Sequence, residues 1–187
     1  MEIERTEIPG LLIITPRVFR DARGFFLESY NQQALAAEGI DTVFVQDNHS
    51  KSTRNTLRGL HFQLPPAAQV KLIRVVRGAI WDVAVDIRVG SPTFGRWCGV
   101  ELSAENFQQF YIPAGFAHGF CVLSDEAEVL YKASHVYNAK LESGILWNDP
   151  ELGVAWPVAE PLLSERDGRA GSLAAYLAGT PFRFDAA

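Results

Sequence analysis

Two side chains that can hold or move protons lie close together in the segment TLRGLHFQ, residues 56–63. Its composition is typical of a strand, yet it includes Arg58 and His61 at positions where apolar side chains would pack better. Imidazole titrates near neutral pH and can act as a base, and a guanidinium binds anions through a rigid fork of donors. The segment is therefore either a surface strand with a structural histidine or the wall of a pocket where a proton moves beside an anion.

The spacing of these two residues needs a local irregularity if both are to face one pocket. Arg58 and His61 are three positions apart, and strict alternation puts such residues on opposite faces of a strand. An extra residue, a β-bulge, would bring them to the same face, and glycine inside a strand often marks one. We therefore expect a bulge at Gly59 if Arg58 and His61 line the same pocket.

Three further residues could take part in acid–base chemistry. Lys71 stands in the apolar run QVKLIRVV, where an amine is costly unless something negative meets it or it extends to solvent from the strand end. Tyr131 could donate a proton opposite a histidine base, although such tyrosines are more often core or interface residues. Asp167 could hold a histidine in one tautomer, but spacing alone leaves it an aspartate in a surface loop.

The segment YIPAGFAHGF, residues 111–120, has the pattern P-x-G-x-x-H through Pro113, Gly115 and His118. This pattern resembles the second conserved motif of the cupin superfamily, a double-stranded antiparallel β-barrel. Metal-binding cupins add an H-x-H pair and a carboxylate, whereas HFQ supplies only His61 at the corresponding place. Because a site of imidazoles and a carboxylate would lack ligands, we expect no metal and assign His118 to a hydrogen bond with a substrate.

Composition limits the classes of partner. The net charge of −5 over 187 residues gives no support for a nucleic-acid or membrane-surface partner, which usually requires a basic face. Cys98 and Cys121 do not have metal-ligand spacing and are expected to be buried free thiols in a reducing compartment. The first ten residues lack the apolar run of a signal peptide, so we expect a cytoplasmic protein.

Short apolar runs separated by turn residues recur along the chain and predict an all-β antiparallel sandwich or barrel. In AIWDVAVDIRV, residues 79–89, one face is apolar, and the other carries Asp82, Asp86 and Arg88, which would meet solvent or the lumen of a barrel. Two short helices are expected at 31–39 and 171–179, and residues 156–171 are expected to form a surface loop.

Several segments together resemble the dTDP-4-dehydrorhamnose 3,5-epimerase family, sugar-nucleotide epimerases of the cupin superfamily. The matching stretches, in family order, include DARGFFLESY, LRGLHFQ, DVAVDIRVGSPTFG, YIPAGFAHGF, LYKASHVY, ESGILWNDP and LSERD. The resemblance implies a single cupin-like domain over 1–187, an antiparallel barrel or jelly roll with a few short peripheral helices. We expect residues 168–187 to form a C-terminal extension that packs on the barrel.

The resemblance also implies roles for individual residues. His61 would be the catalytic base, Asp167 its carboxylate partner, Tyr131 the proton donor on the opposite face, and Lys71 the lysine near the C4 carbonyl. Tyr137 would stack on thymine, and Arg166 stands where the family typically has lysine. The positions that would hold the nucleotide and pyrophosphate are Arg23, Glu28, Gln46, Asp47, Asn48, Arg58, His118 and Glu142. In a homodimer, Arg23 and Glu28 would reach across the interface into the partner's site.

The implied reaction inverts C3 and C5 of dTDP-4-dehydro-6-deoxy-D-glucose and gives dTDP-4-dehydro-L-rhamnose, without a metal or redox cofactor. Both carbons lie beside the C4 ketone, so a base, a stabiliser for the enolate oxygen and an acid on the other face are required. The sequence leaves open an epimerase of C3 only or C5 only. It also leaves open a 3,4-ketoisomerase-type cupin, a non-catalytic sugar-nucleotide-binding cupin and a metal-dependent cupin oxygenase.

Overall fold

A computed structural model describes residues 1–179 and 182–184. The described strands, in chain order, are β1 (Glu2–Arg5), β2 (Leu12–Thr15), β3 (Val18–Asp21), β4 (Gly24–Leu27), β5 (Gln46–Thr53), β6 (Leu57–Gln63), β7 (Lys71–Arg77), β8 (Ala79–Asp86), β9 (Trp97–Ser103), β10 (Gln109–Ile112), β11 (Phe116–Val122), β12 (Glu126–Ala133) and β13 (Glu142–Gly144). The described helices are α1 (Gln32–Ala37), α2 (Glu165–Gly168) and α3 (Leu173–Ala178).

The strands form two antiparallel sheets with a lumen between them. One sheet has the order β1-β2-β10-β7-β12-β5 and the other β13-β6-β11-β8-β9, while β3 and β4 form a separate hairpin. Non-consecutive neighbours in both sheets are the mark of a jelly roll, and the architecture is cupin-like. The expected all-β fold with a few short helices is thereby confirmed.

Three apolar clusters hold the layers together. The first draws on both sheets and fills part of the space between them, with Ile73 and Phe110 from one sheet and Phe120 from the other. The second covers the outer face of the five-stranded sheet and includes Leu173 of α3. The third packs α1 on the outer face of the six-stranded sheet through Leu35. Because both faces of the five-stranded sheet are covered, its middle strands are almost fully buried.

A bulge interrupts the pairing of β6 with β11, as expected from Gly59. His118 pairs with His61, and Phe120 pairs with Arg58, so three steps along β6 match two steps along β11. Gly59 has a φ of +132°, and a Cβ built on it would lie 2.5 Å from the Cα of Gly119. The bulge thus requires glycine, and it brings Arg58 and His61 to the face that carries His118 and Phe120.

Two expectations about individual segments need correction. The strand expected over 79–89 ends at Asp86. Its polar face, for which both solvent and lumen were open, meets the lumen, because Asp82 and Asp86 pair across the sheet with Phe120 and Phe116 of the core between the sheets. The loop expected over 156–171 contains α2, a single turn that begins after the N-cap Ser164. The helices expected at 31–39 and 171–179 are present as α1 and α3.

The C-terminal segment contacts the outer face of the five-stranded sheet. Leu173 is buried there, and the Tyr176 hydroxyl donates a hydrogen bond of 2.7 Å to the carbonyl oxygen of Ile87. Of the expected extension over 168–187, residues 180, 181 and 185–187 lie outside the described residues. No helix in the described parts of the chain combines the length and hydropathy that crossing a membrane requires.

Candidate active site

His61 and Asp167 form a close pair at one wall of the lumen. Nε2 of His61 lies 2.5 Å from Oδ1 of Asp167, and the Asp167 residue is only 3% exposed. Burial acts to raise the pKa of the Asp167 carboxyl, but the hydrogen bond from His61, together with Ser164 and the positive charge of Arg166, holds that pKa below its ordinary value. Asp167 is therefore a carboxylate, and the interpretation of this residue as part of a surface loop was wrong.

The single turn α2 places both Asp167 and its neighbour. Ser164 caps the turn by accepting a hydrogen bond of 3.1 Å from the backbone N–H of Asp167. The side chain of Arg166 leaves the same turn, with Nη2 lying 2.9 Å from Nε2 of His61. One nitrogen cannot serve a carboxylate and a guanidinium at once, because the first contact needs a proton on Nε2 and the second needs a lone pair.

The shorter contact with a buried carboxylate decides the tautomer of His61. Nε2 carries the proton and donates it to Asp167, which leaves Nδ1 as the nitrogen with a free lone pair. Arg166 then acts as a nearby charge, and it is already paired through Nη1 with Oε2 of Glu142 at 2.5 Å. His61 is thus arranged to accept a proton at Nδ1.

A second histidine–carboxylate pair lies on the neighbouring strands. Nε2 of His118 on β11 lies 2.6 Å from Oδ1 of Asp82 on β8, and both residues are buried. Burial lowers the pKa of His118, against the opposing effect of the Asp82 carboxylate. His118 is the direct cross-strand partner of His61, so the two pairs stand side by side on the inner face of one sheet.

Lys71 and Tyr131 face the lumen from the other sheet. Lys71 lies two positions before the core residue Ile73 on β7, and Tyr131 on β12 pairs with Ile73 and packs against the core between the sheets. Burial lowers the pKa of Lys71 to about 8, although Asp82 and Glu142 act to raise it. Burial also raises the pKa of Tyr131, as does the charge of Glu142, so its hydroxyl stays protonated at neutral pH.

Polar side chains line the lumen next to the His61–Asp167 pair. The Tyr137 hydroxyl donates to Oε2 of Glu142 at 2.6 Å, and Glu142 lies on β13, which pairs with β6. Oε1 of Gln46 accepts a hydrogen bond of 2.8 Å from the backbone N–H of Tyr137. Tyr137 remains 55% exposed, which leaves its side chain accessible for stacking. These contacts join β5, β13 and α2 around one opening of the lumen.

Arg58 is exposed at this opening, and it shares an open pocket of about 530 Å³ with His61, Arg166 and Asp167. Its Nε donates a hydrogen bond of 2.9 Å to Oγ of Ser52. Its Nη2 makes a longer contact of 3.4 Å with the carbonyl oxygen of Lys51, and Nη1 makes no hydrogen bond to the described residues. Arg58 and Arg166 thus bring two guanidinium groups to the opening, where the carboxylates of Glu142 and Asp167 lie beside Arg166.

Three of the expected binding residues do not join this cluster within one chain. The Asp47 side chain lies on the outer face of β5 and pairs with Lys132 at 2.8 Å, while its neighbours Gln46 and Asn48 bond to each other at 2.8 Å. Arg23 is at the tip of the β3–β4 hairpin, where it pairs with Asp21. Glu28 follows that hairpin and accepts a hydrogen bond from Asn31.

Reasoning from the sequence did not assign Asp82 to the site. Its position on the polar face of β8 was visible in the alternation, but the choice between solvent and lumen for that face was open. Within residues 1–179 and 182–184, no group of three or more His, Cys, Asp and Glu side chains is arranged to hold a metal ion.

The fold and the side chains in the lumen define a cupin-like barrel with acid–base groups on facing sheets. A family model described as dTDP-4-dehydrorhamnose 3,5-epimerase matches residues 5–175. The dTDP-4-dehydrorhamnose 3,5-epimerase of Shigella flexneri is 60% identical over 168 residues, which cover 89% of this chain and 93% of that protein. The chain therefore belongs to the dTDP-4-dehydrorhamnose 3,5-epimerase family.

Two further relatives bear on the reaction. The crystal structure of the dTDP-6-deoxy-D-glucose-3,5-epimerase from Legionella pneumophila Philadelphia 1, in complex with dTDP-4-keto-L-rhamnose, is 46% identical with a TM-score of 0.95 and covers 99% of each chain. A dTDP-4-dehydrorhamnose 3-epimerase from Streptomyces niveus is 43% identical over 168 residues, which cover 89% of this chain and 81% of that protein. The relatives thus include one named as a 3-epimerase and others named as 3,5-epimerases.

Proposed function

We propose that this protein inverts C3 and C5 of dTDP-4-dehydro-6-deoxy-D-glucose and yields dTDP-4-dehydro-L-rhamnose for rhamnose biosynthesis. The observation that carries the proposal is the His61–Asp167 pair on one sheet with Lys71 and Tyr131 on the inner face of the other. A base and an acid on opposite sides of one lumen are what inversion at carbon requires, because the proton must leave one face and return to the other.

The proposed chemistry runs through an enolate. His61 removes the proton from a carbon next to the C4 ketone, and the electron pair of the broken C–H bond moves towards the ketone oxygen. Asp167 stabilises the imidazolium that forms, as a carboxylate does in other histidine-based sites. Tyr131 then gives its hydroxyl proton to the opposite face of the carbon. The ketone is restored, His61 releases the proton it has taken up to solvent, and Tyr131 regains a proton from solvent. The same sequence then repeats at the second carbon without a redox cofactor or metal.

Lys71 is the proposed stabiliser of the developing oxyanion. Its ammonium lies in a lumen where water is largely displaced, so a charge on the ketone oxygen would be strongly attracted to it. An amine of lowered pKa is also able to donate a proton to that oxygen near neutral pH. His118 would bond to a sugar hydroxyl beside the ketone.

The nucleotide is proposed to occupy the opening formed by β5, β13 and α2. Tyr137 would stack on the base through its exposed face, and Arg58 and Arg166 would pair with the pyrophosphate. Gln46, Asp47, Asn48 and Glu142 would complete this binding region. The proposal is supported by the pocket that His61 lines together with Arg58 and Arg166, and by the related Legionella pneumophila epimerase, whose crystal structure contains dTDP-4-keto-L-rhamnose.

We also propose a homodimer in which the β3–β4 hairpin carries Arg23 and Glu28 into the partner's site. The hairpin presents Phe19, Phe25 and Phe26 with exposures of 50%, 56% and 70%. Three exposed phenylalanines on one hairpin are unusual for a surface that stays in water, and they favour burial against a second chain. This arrangement would supply the two binding residues that are distant from the site within one chain.

Two broader expectations remain proposals. The chain would form one domain over 1–187, with 168–187 as an extension on the barrel, supported by the packing of Leu173 and Tyr176. A cytoplasmic location is supported by Cys98 and Cys121, which are both free thiols.

An epimerase of C3 alone is the second candidate, because the Streptomyces niveus relative is named for that reaction. The higher identity of 60% to a 3,5-epimerase favours inversion at both centres. Solvent deuterium incorporation separates them: the protein is incubated with dTDP-4-dehydro-6-deoxy-D-glucose in deuterated water, and C3 and C5 are followed by NMR with a reductase to trap product. Label at both carbons with a trapped L-sugar is expected, label at one carbon would indicate a mono-epimerase, and no label would overturn the proposal.

A further inference from the structure

Asp82 is a buried carboxylate to which the proposed chemistry gives no role. It lies in the middle of β8, is fully buried and has one oxygen, Oδ1, bonded to His118 at 2.6 Å. The other oxygen, Oδ2, is also inaccessible to solvent, and it has no hydrogen-bond partner among the described residues. A buried carboxylate oxygen without a partner is unfavourable, so its retention calls for a positive or donor group nearby.

Lys71 has a positive group that complements the unpaired oxygen of Asp82. Its ammonium lies in the same lumen and makes no hydrogen bond or salt bridge to the described residues. The groups that face it are Asp82 on β8, Glu142 on β13 and Arg166 on α2, and of the two carboxylates Asp82 has the stronger influence on its charge. His118 on β11 also interacts with Lys71, and β12 contributes the half-buried Tyr131.

We propose that Asp82 is a positioning residue of this site: His118 holds its carboxylate in place, and the unpaired Oδ2 is the resident counter-charge that keeps the Lys71 ammonium charged and directed into the lumen. The inference rests on the proposed function, since the ammonium is the group that would meet the ketone oxygen. Asp82 does not touch the substrate in this arrangement. It acts through Lys71, and His118 fixes the distance between them.

The strand itself offers a matched comparison. Asp86 lies four positions further along β8 and is also fully buried. Its oxygens are taken up by Arg88, Ser91 and Thr93, with hydrogen bonds of 2.6 to 2.8 Å. A general effect of removing a buried charge from β8 would therefore appear in Asp86→Asn as well as in Asp82→Asn, whereas loss of the Lys71 counter-charge would appear only in the latter.

The direct test is an NMR titration of the full-length protein with ¹³C-labelled lysine. The chain has lysines only at 51, 71, 132 and 140, so the signal of Lys71 can be assigned with Lys71→Met. In the unsubstituted protein Lys71 should titrate with a pKa near 8, and in Asp82→Asn it should titrate at clearly lower pH. Asp86→Asn should leave the titration unchanged. An unchanged midpoint in Asp82→Asn, or an equal shift in Asp86→Asn, would overturn the inference.

A second measurement covers the case in which Asp82→Asn does not fold. In the unsubstituted protein, the ¹³C signal of the Asp82 carboxylate should show a step at the pH where Lys71 loses its proton, and Lys71→Met should abolish that step. The absence of a step would contradict the pairing. Neither titration requires turnover, so a failure of the proposed epimerase reaction would be seen separately, as absence of deuterium exchange.

Activity gives a third readout if the protein is an epimerase. The alkaline limb of the pH dependence of kcat should move to lower pH in Asp82→Asn, because the neutral amine appears earlier. At pH 7 we expect a loss in kcat of about ten- to a hundred-fold, as found for small misplacements of catalytic groups. A uniform loss in kcat with the limb unmoved would mean that Asp82 has only a structural role.

Discussion

Nε2 of His61 lies 2.5 Å from Oδ1 of Asp167, although 106 positions separate these residues in the chain. The contact depends on a single helical turn that starts at Ser164 and turns Asp167 towards β6. It sets the tautomer of His61 and so leaves Nδ1 as the ring nitrogen with a free lone pair.

Asp167→Asn tests the importance of this tautomer. The amide can donate to Nε2, which would favour the proton on Nδ1 and leave the wrong nitrogen free. We expect kcat to fall by about 10² to 10⁴, by analogy with other histidine–carboxylate pairs. The measurement is steady-state epimerisation at pH 7. Arg169→Lys, at an exposed residue that pairs with Glu165 next to the same turn, serves as the control and should keep full activity.

Tyr131→Phe should separate the removal of the proton from its return. The variant keeps the ring that packs against the core but lacks the proton that we assign to the opposite face. Loss of substrate deuterium to solvent should continue, while the formation of inverted product should fall by about 10² to 10⁴. Both rates can be followed by NMR in one experiment. Equal losses in the two rates would remove Tyr131 as the donor.

Much of this arrangement could be predicted from the sequence, and the exceptions have physical causes. A bulge at Gly59 could be predicted on the condition that Arg58 and His61 line one pocket, because a glycine stands between them and their spacing conflicts with a regular strand. The contact between His61 and Asp167 could not be predicted from residue spacing, because nothing local in a chain specifies a partner 106 positions away. Motif resemblance supplied that pairing instead.

The alternation pattern also could not predict whether a polar face of the sheet meets solvent or the lumen. Alternation places Asp82 and Asp86 on one face of β8, but the pattern is the same whether that face meets water or a polar lumen. Burial of the whole sheet by the second apolar cluster and the core decides in favour of the lumen. The short turn α2 was missed because four residues give too little periodicity to recognise.

Gly59→Ala should be strongly destabilising. The φ of +132° is unfavourable for any residue with a Cβ, and the added carbon would lie 2.5 Å from Gly119 and 2.8 Å from the His118 carbonyl oxygen. Gly39→Ala is the matched control, because it has a φ of +83° but open space around its Cβ. We expect a cost of about 1 kcal/mol for Gly39→Ala and more than about 3 kcal/mol for Gly59→Ala, measured by denaturant unfolding. Equal costs would show that contact with β11 does not matter.

Lys71→Met should remove a pH dependence from the stability of the protein. The pKa of Lys71 is lowered from 10.5 to about 8 in the folded protein, so the unfolded chain binds more protons between these values. The stability of the unsubstituted protein should therefore rise as pH increases from 8 to 10.5. Lys71→Met should lack this rise, which amounts to about 3 kcal/mol for a pKa change of this size. Lys140→Met, at an exposed position, should retain the pH dependence.

Subunit complementation tests the proposed position of Arg23. His61→Ala and Arg23→Ala should each have little activity alone. In a dimer of the two variants, one site would combine the intact His61 of one chain with the intact Arg23 of the other. After mixing and subunit exchange, about one quarter of all sites should be active. If activity does not recover although mass spectrometry shows mixed dimers, Arg23 does not act across the interface.

The bulge on β6 means that the site depends on how a strand is paired as well as on which residues it contains. If β6 paired with β11 as a regular strand, without the extra residue at the bulge, the inward and outward positions beyond Gly59 would exchange, so that His61 would point into the apolar layer and Phe62 into the lumen. Every chemically active residue would still be present in such a strand. An inventory of site residues would therefore class the protein as an intact enzyme, although its base would be directed away from the substrate.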